Sequence, residues 1–303
     1  MTMMRTIGRV RSGAIEEPWL NLPYAEVEVD SQTLRYAATN RLAIKRVETL
    51  FSKEPTTIPW LDLIEPSAVL VDIGANVGMY TIYAGRIRGA KVFAFEPEAL
   101  NYAELNKNIF LNGLHGKVLA YCMALGNETK VDRLLLGGFA EGLSHHDFGE
   151  NTWTENKDFG AIKTAKDQRL EQGCVSFALD TLVEAGFIPV PQFIKIDVDG
   201  LEHKVVEGCW RTFERPDLES VLIEIDHRIP SCTAIIDRMV EAGWRYSIDQ
   251  LRTNRKVIFT PEQVARMRQE GTGGFNYIFF RDDKYARLFE EFLKGYVPPL
   301  AKR

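Results

Sequence analysis

Apolar and polar positions along the chain fall into two rhythms. From residue 68 to 125, and again from 175 to 281, short apolar runs alternate with stretches of helical period. "AVLVDIG", "KVFAFEP", "KVLAYCMAL", "QFIKIDVD", "SVLIEID" and "NYIFFR" are the apolar runs. "MYTIYAGRI", "ALNYAELNKNIFLNG", "LEHKVVEGCW" and "TAIIDRMVEAGW" have helical period; the last puts Ile235, Ile236, Met239 and Val240 on one stripe. Strands that are apolar throughout and alternate with helices predict a parallel sheet covered on both faces. "VSFALDTLVEAGF" predicts a short strand and a helix capped by Asp180. "RYSID" and "KVIFT" read as strands. Thr260, Pro261 and Gln263 form a capping-box start, and "YARLFEEFLKGY" is a terminal helix.

Residues 1–65 keep another rhythm and read as a small α/β appendage to a domain over 66–303. "YAEVEVD" alternates with period two and "LRYAAT" is its pairing candidate. "NRLAIKRVETLFS" places Leu42, Ala43, Val47, Leu50 and Phe51 on a helical stripe, which Pro55 and Pro59 then break. Residues 137–174, rich in Gly, Asn, Asp and Lys, follow neither rhythm. Loops of that length inside a compact domain are usually functional, so this one is expected to cover substrate.

Composition narrows the class. The chain has 303 residues, 45% apolar and 26% charged, which suits a folded chain with a large core. A net charge of −5 gives no global basic footprint for nucleic acid or an anionic membrane. Cys122, Cys174, Cys209 and Cys232 are widely spaced, with no CxxC pair, which argues against structural zinc and against a disulfide scaffold. No run approaches the length of a membrane span, and "MTMMRTIGRVRSG" has no signal-type apolar core, so a cytoplasmic location is expected.

"VLVDIGANVGMYTI" carries the most chemistry. A buried strand runs into Asp72, Gly74, Asn76 and Gly78 and then a helix, the first unit of a Rossmann-like cofactor site. The spacing is not G-x-G-x-x-G. A phosphate-binding turn has no need of an acid at Asp72, whereas a cationic cofactor such as S-adenosylmethionine offers that acid an amino group. Glu96, at the end of the second strand, is placed to accept from two ribose hydroxyls. NAD proteins use the same device, so Glu96 alone indicates an adenosine ribose without choosing the cofactor.

With these residues in view, the chain resembles the FkbM-type family of S-adenosylmethionine-dependent methyltransferases. "VDIGANVGMYT", "AFEPEALNYAELNKNIFLN", "ALGN", "LDTLV", "IKIDVDGLEHKVVEG", "VLIEI" and "NYIFF" resemble its blocks in order, from about residue 66 to 281. The resemblance implies a Rossmann-like seven-stranded class I sheet, order 3-2-1-4-5-7-6, with the last strand antiparallel. It implies methyl transfer, typically to a hydroxyl of a sugar or secondary metabolite. Asp199 stands where the family's fourth-strand block often has Glu. The cofactor candidates are Asp72, Gly74, Ala75, Asn76, Gly78, Glu96, Pro97, Ala124 and Asp197.

"FIKIDVDGLEH" allows several readings. An EF-hand loop is rejected, because it would follow a helix and need a Glu at position twelve. Asp199 and Glu202 fit a capping box, with Asp199 the better cap. Asp197 ends the fourth strand beside the first, where the transferable methyl is expected, and is the candidate for catalysis. A divalent metal on Asp197, Glu224 and Asp226 is a second, less favoured reading. Glu202, His227 and the loop histidines His145 and His146 are the other catalytic candidates, and Trp153 is a candidate sugar platform. His203 is expected to face solvent. The rivals are an NAD-dependent oxidoreductase on the same fold and a binding protein without catalysis.

Overall fold

The computed structural model describes residues 6–18, 20–149, 170–253 and 256–298. Trp153 and the middle of the 137–174 segment lie outside them.

Six strands build the central sheet: β4 (Val69–Ile73), β5 (Lys91–Phe95), β6 (Val118–Tyr121), β11 (Phe193–Ile196), β12 (Ser220–Asp226) and β13 (Gly274–Phe280). Their order is β13-β12-β11-β4-β5-β6. All neighbours are parallel except β13, which runs antiparallel to β12. Every residue of β4 and β11 is buried, as a strand covered on both faces requires. The expected order therefore holds for six positions, but the seventh strand does not form among the described residues. Outside β13, "RYSID" contributes one bridge, Arg245 to Phe280. The reason is local: Ser247 already caps the next helix, Ile248–Leu251, with its side chain. "KVIFT" likewise supplies only the bridge Thr253–Ile258.

The N-terminal strands β1 (Arg11–Glu17), β2 (Leu20–Val29) and β3 (Gln32–Ala37) form an antiparallel sheet. β1 is not foreseen by the pattern. Val27, Leu34, Tyr36, Val47 and Leu50 belong to the same buried cluster as Leu70, Ile82 and Tyr83 of the central unit. Tyr36 Oη donates to the Met79 carbonyl at 3.0 Å, and the Ala37 amide donates to Asn108 Oδ1 at 2.6 Å. Residues 6–61 therefore share one core with the sheet. Helix Arg41–Thr49 is capped by Asn40, and Pro59 sits in the first turn of a short helix, Thr57–Leu61, where its missing N–H costs nothing.

A third sheet is not foreseen by the pattern. β7 (Ala124–Leu125), β8 (Lys130–Leu136), β9 (Asp147–Phe148) and β10 (Leu170–Phe177) pair in the order β7-β10-β8-β9. Both described ends of the 137–174 segment thus reach into strands. Asp180 does not cap its own helix. Its carboxylate accepts from the Arg211 and Thr212 amides, at 2.9 and 2.8 Å, at the start of helix Trp210–Phe213. The Thr260–Gln263 capping box forms as expected.

Candidate active site

The site lies at the C-terminal ends of β4, β5, β11 and β12, outside the sheet, where open α/β folds bind ligands. Gly74 ends β4 with φ +77°, and a Cβ there would lie 1.8 Å from the Asp197 carbonyl oxygen. No residue but glycine fits, because the backbone that follows β11 packs directly against that of Gly74. Gly78, also left-handed, starts helix Met79–Tyr83.

Asp72 is buried. Thr81 Oγ1 donates to its Oδ2, while its Oδ1 is buried without a partner. Burial pushes this carboxyl up, against the pull of the Lys195 ammonium. Lys195 stands opposite Asp72 in the β11–β4 register. Its ammonium is buried, 2.8 Å from Asp197 Oδ2 and 5.4 Å above the Tyr80 ring. Burial opposes that charge, yet Asp197, Asp72 and Glu54 hold the lysine above its ordinary range.

Asp197 and Glu224 behave as a pair. Burial works against the Asp197 charge, but Lys195, a hydrogen bond from Glu224 and Lys53 hold it well below the carboxylate range. The Asp197 charge, with burial, drives Glu224 far up, so Glu224 keeps its proton and donates it to Asp197. Lys53 and Glu54 come from the N-terminal region and pair at 2.9 Å.

Glu96 is buried and pushed up to about 7 by burial. It accepts from the Asn76 amide at 2.7 Å and the Glu98 amide at 2.9 Å, which locks the glycine-rich turn to the end of β5. Asn76 Nδ2 in turn donates to the Leu143 carbonyl at 2.6 Å.

Three cavities meet here. One of about 40 Å³ is lined by Asp72, Gly74, Ala75, Asn76, Tyr80 and Lys195, among others. One of about 260 Å³ runs past Glu96, Pro97, His145, His146, Asp197 and Asp199. A third, of about 170 Å³, lies over β12 and β13. Lys53 lines all three.

Most of the sequence candidates converge, and several do not. Asp72, Gly74, Ala75, Asn76, Glu96, Pro97 and Asp197 line the first two cavities, as do His145 and His146. Gly78 and Ala124 are structural neighbours that line none of the three. Asp199 and Glu202 do not form the expected capping box, and helix Glu202–Gly208 has no side-chain cap. Glu202 is buried, accepts from the Val198 and Gly200 amides at 3.0 and 3.1 Å, and is pushed up to about 7 by burial. It ties down the loop before the helix, away from the cavities. Asp199, at φ +58°, instead accepts from the His145 amide at 2.6 Å and holds His145 Nδ1 at 3.2 Å. His146 is kept neutral by burial, with Nδ1 accepting from the Gly137 amide. His227 is buried away from the cavities, its Nε2 2.9 Å from Tyr277 Oη. His203 does not simply face solvent, since its Nδ1 lies 3.4 Å from Ser231 Oγ. Asp226 turns to Arg228 at 2.6 Å. Among the described residues, the acids whose oxygens come within 4.8 Å of one another are Asp197, Asp199 and Glu224, so the set Asp197, Glu224 and Asp226 read from the sequence does not assemble. Arg46, Lys53, Glu54, Tyr80 and Lys195 were missed. A lysine inside the apolar run "FIKID" was the one available signal.

The methyltransferase FkbM domain model matches residues 72–246, more than half of the chain. The chain belongs to that family. FkbM-family membership makes it an S-adenosylmethionine-dependent methyltransferase with a Rossmann-like fold. Hexuronic acid methyltransferase AglP of Haloferax volcanii is 25% identical over 231 residues, 74% of this chain and 84% of that protein. Methyltransferase sdnD of Sordaria araneosa is 27% identical over 187 residues, 55% and 71% of the two chains. The 31-O-demethyl-FK506 methyltransferase FkbM of Streptomyces tacrolimicus is 26% identical over 182 residues, 54% and 66%. Among solved structures, M. capricolum TrmK with S-adenosyl-homocysteine aligns at TM-score 0.41 and 11% identity, covering 75% of this chain and 68% of TrmK. A likeness that loose carries no argument. Among the described residues, no helix is long and apolar enough to cross a membrane.

Proposed function

We propose that this FkbM-family enzyme methylates a hydroxyl oxygen of a sugar or small metabolite, and that Asp72 and Glu96 hold the methyl donor. The observation that carries the reading is the buried, unpartnered Asp72 Oδ1 beside a cavity lined by the glycine turn. An ammonium group satisfies that oxygen, and a cofactor pyrophosphate would be repelled by it, which disfavours the NAD alternative. Glu96 retains acceptor capacity for two ribose hydroxyls beyond its two backbone bonds. Bound S-adenosylmethionine supplies an electrophilic methyl on a sulfonium, released as a neutral thioether once oxygen has taken the methyl.

The residues at the junction divide the remaining work. Asp197, held charged by Lys195, is a weak base but a strong electrostatic anchor beside the cationic centre. The acceptor proton needs a better base. His145 lines the same cavity, and Asp199 orients its ring through Nδ1, the arrangement of a base with its positioning carboxylate. As the oxygen–carbon bond forms, His145 takes the hydroxyl proton. Sugar acceptors are supported by the similarity to hexuronic acid methyltransferase AglP. The test is calorimetric titration of S-adenosylhomocysteine into wild type and Asp72→Asn. Binding that is lost in the variant, with the fold intact, supports the assignment. Equal affinity removes Asp72 from the cofactor site.

A further inference from the structure

We infer that the acceptor seats in the cavity over the ends of β12 and β13, and that it is a hydroxyl-rich ring rather than a large apolar scaffold. This rests on the methyl-transfer reading above.

The first two cavities share the glycine-rich turn and between them carry Asp72 and Glu96, so they hold the methyl donor; the larger also carries His145 and shares Lys53 and Glu224 with the third. The third, of about 170 Å³, touches neither acid and not the turn. It meets the others at Lys53, and Glu224, in its wall, is hydrogen-bonded to Asp197. A ligand there adjoins Asp197 through Glu224 without occupying the turn that carries Asp72 and Glu96.

The lining sets the chemistry. Lys53, Glu54, Glu224 and Asn276 present cationic, anionic, neutral carboxyl and amide groups. Phe275 lines it too, but its ring packs on His227 and Phe259 on the other face of β13. Dense donors and acceptors match a ring with several hydroxyls. Lys53 bonds Glu54 at 2.9 Å and Asn276 Nδ2 bonds Glu54 at 3.1 Å, a network that hydroxyls extend and an apolar scaffold only desolvates. Four of the lining residues, Lys53, Glu54, Pro55 and Thr56, come from the N-terminal region, which gives that region a part in acceptor choice.

Gly274 allows a test that leaves the donor site alone. Glu224 pairs with Asn276 and Asp226 with Gly274 in the β12–β13 register, so a side chain at 274 points to the face of Glu224 and Asn276. Gly274 is exposed, and a Cβ there meets its nearest atom, Asp226 Cα, at 3.6 Å, an ordinary contact. Gly274→Trp therefore fills the cavity mouth without forcing the backbone.

The experiment measures tritiated methyl transfer from S-adenosylmethionine to methyl glucopyranoside, methyl glucopyranosiduronate and cyclohexanol. S-adenosylhomocysteine affinity is measured in parallel. Wild type is expected to methylate at least one glycoside in preference to cyclohexanol. Gly274→Trp is expected to lose about 100-fold or more in kcat/KM while donor affinity is unchanged. Asn276→Ala is expected to raise the glycoside KM about tenfold, again without a change in donor affinity. Undiminished transfer by Gly274→Trp overturns the inference, as does a preference for cyclohexanol. A wild type that binds S-adenosylhomocysteine but methylates neither glycoside also overturns it, leaving the donor assignment standing. No binding of S-adenosylhomocysteine at all would instead sink the reading beneath it.

Discussion

Lys195→Met should damage this protein more than any surface substitution, and the damage should depend on pH. The ammonium lies 2.8 Å from Asp197 in a side chain 3% exposed, against 19% for its partner. Removing one member of a buried pair costs about 3–5 kcal/mol, mostly because the other charge is left uncompensated. Asp197 is partly wet and keeps the Glu224 hydrogen bond, so the lower end, about 3 kcal/mol, applies. That is a large share of a domain stability of about 5–15 kcal/mol. The sign follows from the two shifts. Asp197 is held below its reference of 3.8, so its stabilisation is present above that pH and is lost as pH falls through the folded value. Lys195 is held above 10.5, so its share is present below that pH and is lost only as pH rises through its folded value. Near neutrality wild type has both contributions. Without Lys195 the Asp197 pKa rises, and acidification lets it take a proton and shed the cost. Equilibrium urea unfolding should therefore show a deficit of about 3 kcal/mol at pH 7.5 that narrows on acidification. Adding Asp197→Asn should recover part of it. A deficit below about 1 kcal/mol, or one unchanged by pH and by the second substitution, would refute the reasoning.

Other substitutions separate the neighbouring roles. Gly74→Ala drives a methyl into the Asp197 carbonyl and should lower stability by more than about 3 kcal/mol, read as a lower denaturant midpoint. Glu96, raised to about 7 by burial, must be ionised to accept both ribose hydroxyls; S-adenosylhomocysteine affinity should fall roughly threefold to tenfold from pH 8 to pH 6. Glu96→Gln should flatten that profile, and an unchanged slope would count against the ribose role. Glu202→Ala orphans the Val198 and Gly200 amides and should cost about 1–3 kcal/mol of stability with donor affinity retained. His145→Ala should cut turnover about 100-fold or more without weakening donor binding, while overnight dialysis against chelator should leave activity intact.

The central sheet was legible because its strands are apolar on both faces, a pattern few other structures produce. What escaped the sequence depends on pairing and direction. β8 and β10 are half-exposed strands 33 residues apart, and neither shows its partner in its own pattern. Residues 245–248 have strand composition, but a serine cap ends the extended chain after one bridge. The proposed donor site was readable because Asp72, the glycines and Glu96 fall at fixed offsets within one strand–turn–helix–strand unit. The acids after β11 were not readable to the same depth. Positive φ at Asp199 and Gly200 turns Asp199 toward His145 and brings Glu202 back onto the loop amides, and no side-chain spacing encodes that. Lys53 and Glu54 reach the site from a region more than 140 residues before Asp197, by packing alone.

The account stands or falls on where the methyl group goes. Wild type, incubated with S-adenosylmethionine carrying a carbon-13 methyl and with the glycoside acceptors, should yield a product whose NMR correlations place the labelled carbon on a sugar oxygen. Label found on nitrogen, sulfur or carbon would contradict the proposal. So would an enzyme that binds the donor and leaves every hydroxyl acceptor unlabelled.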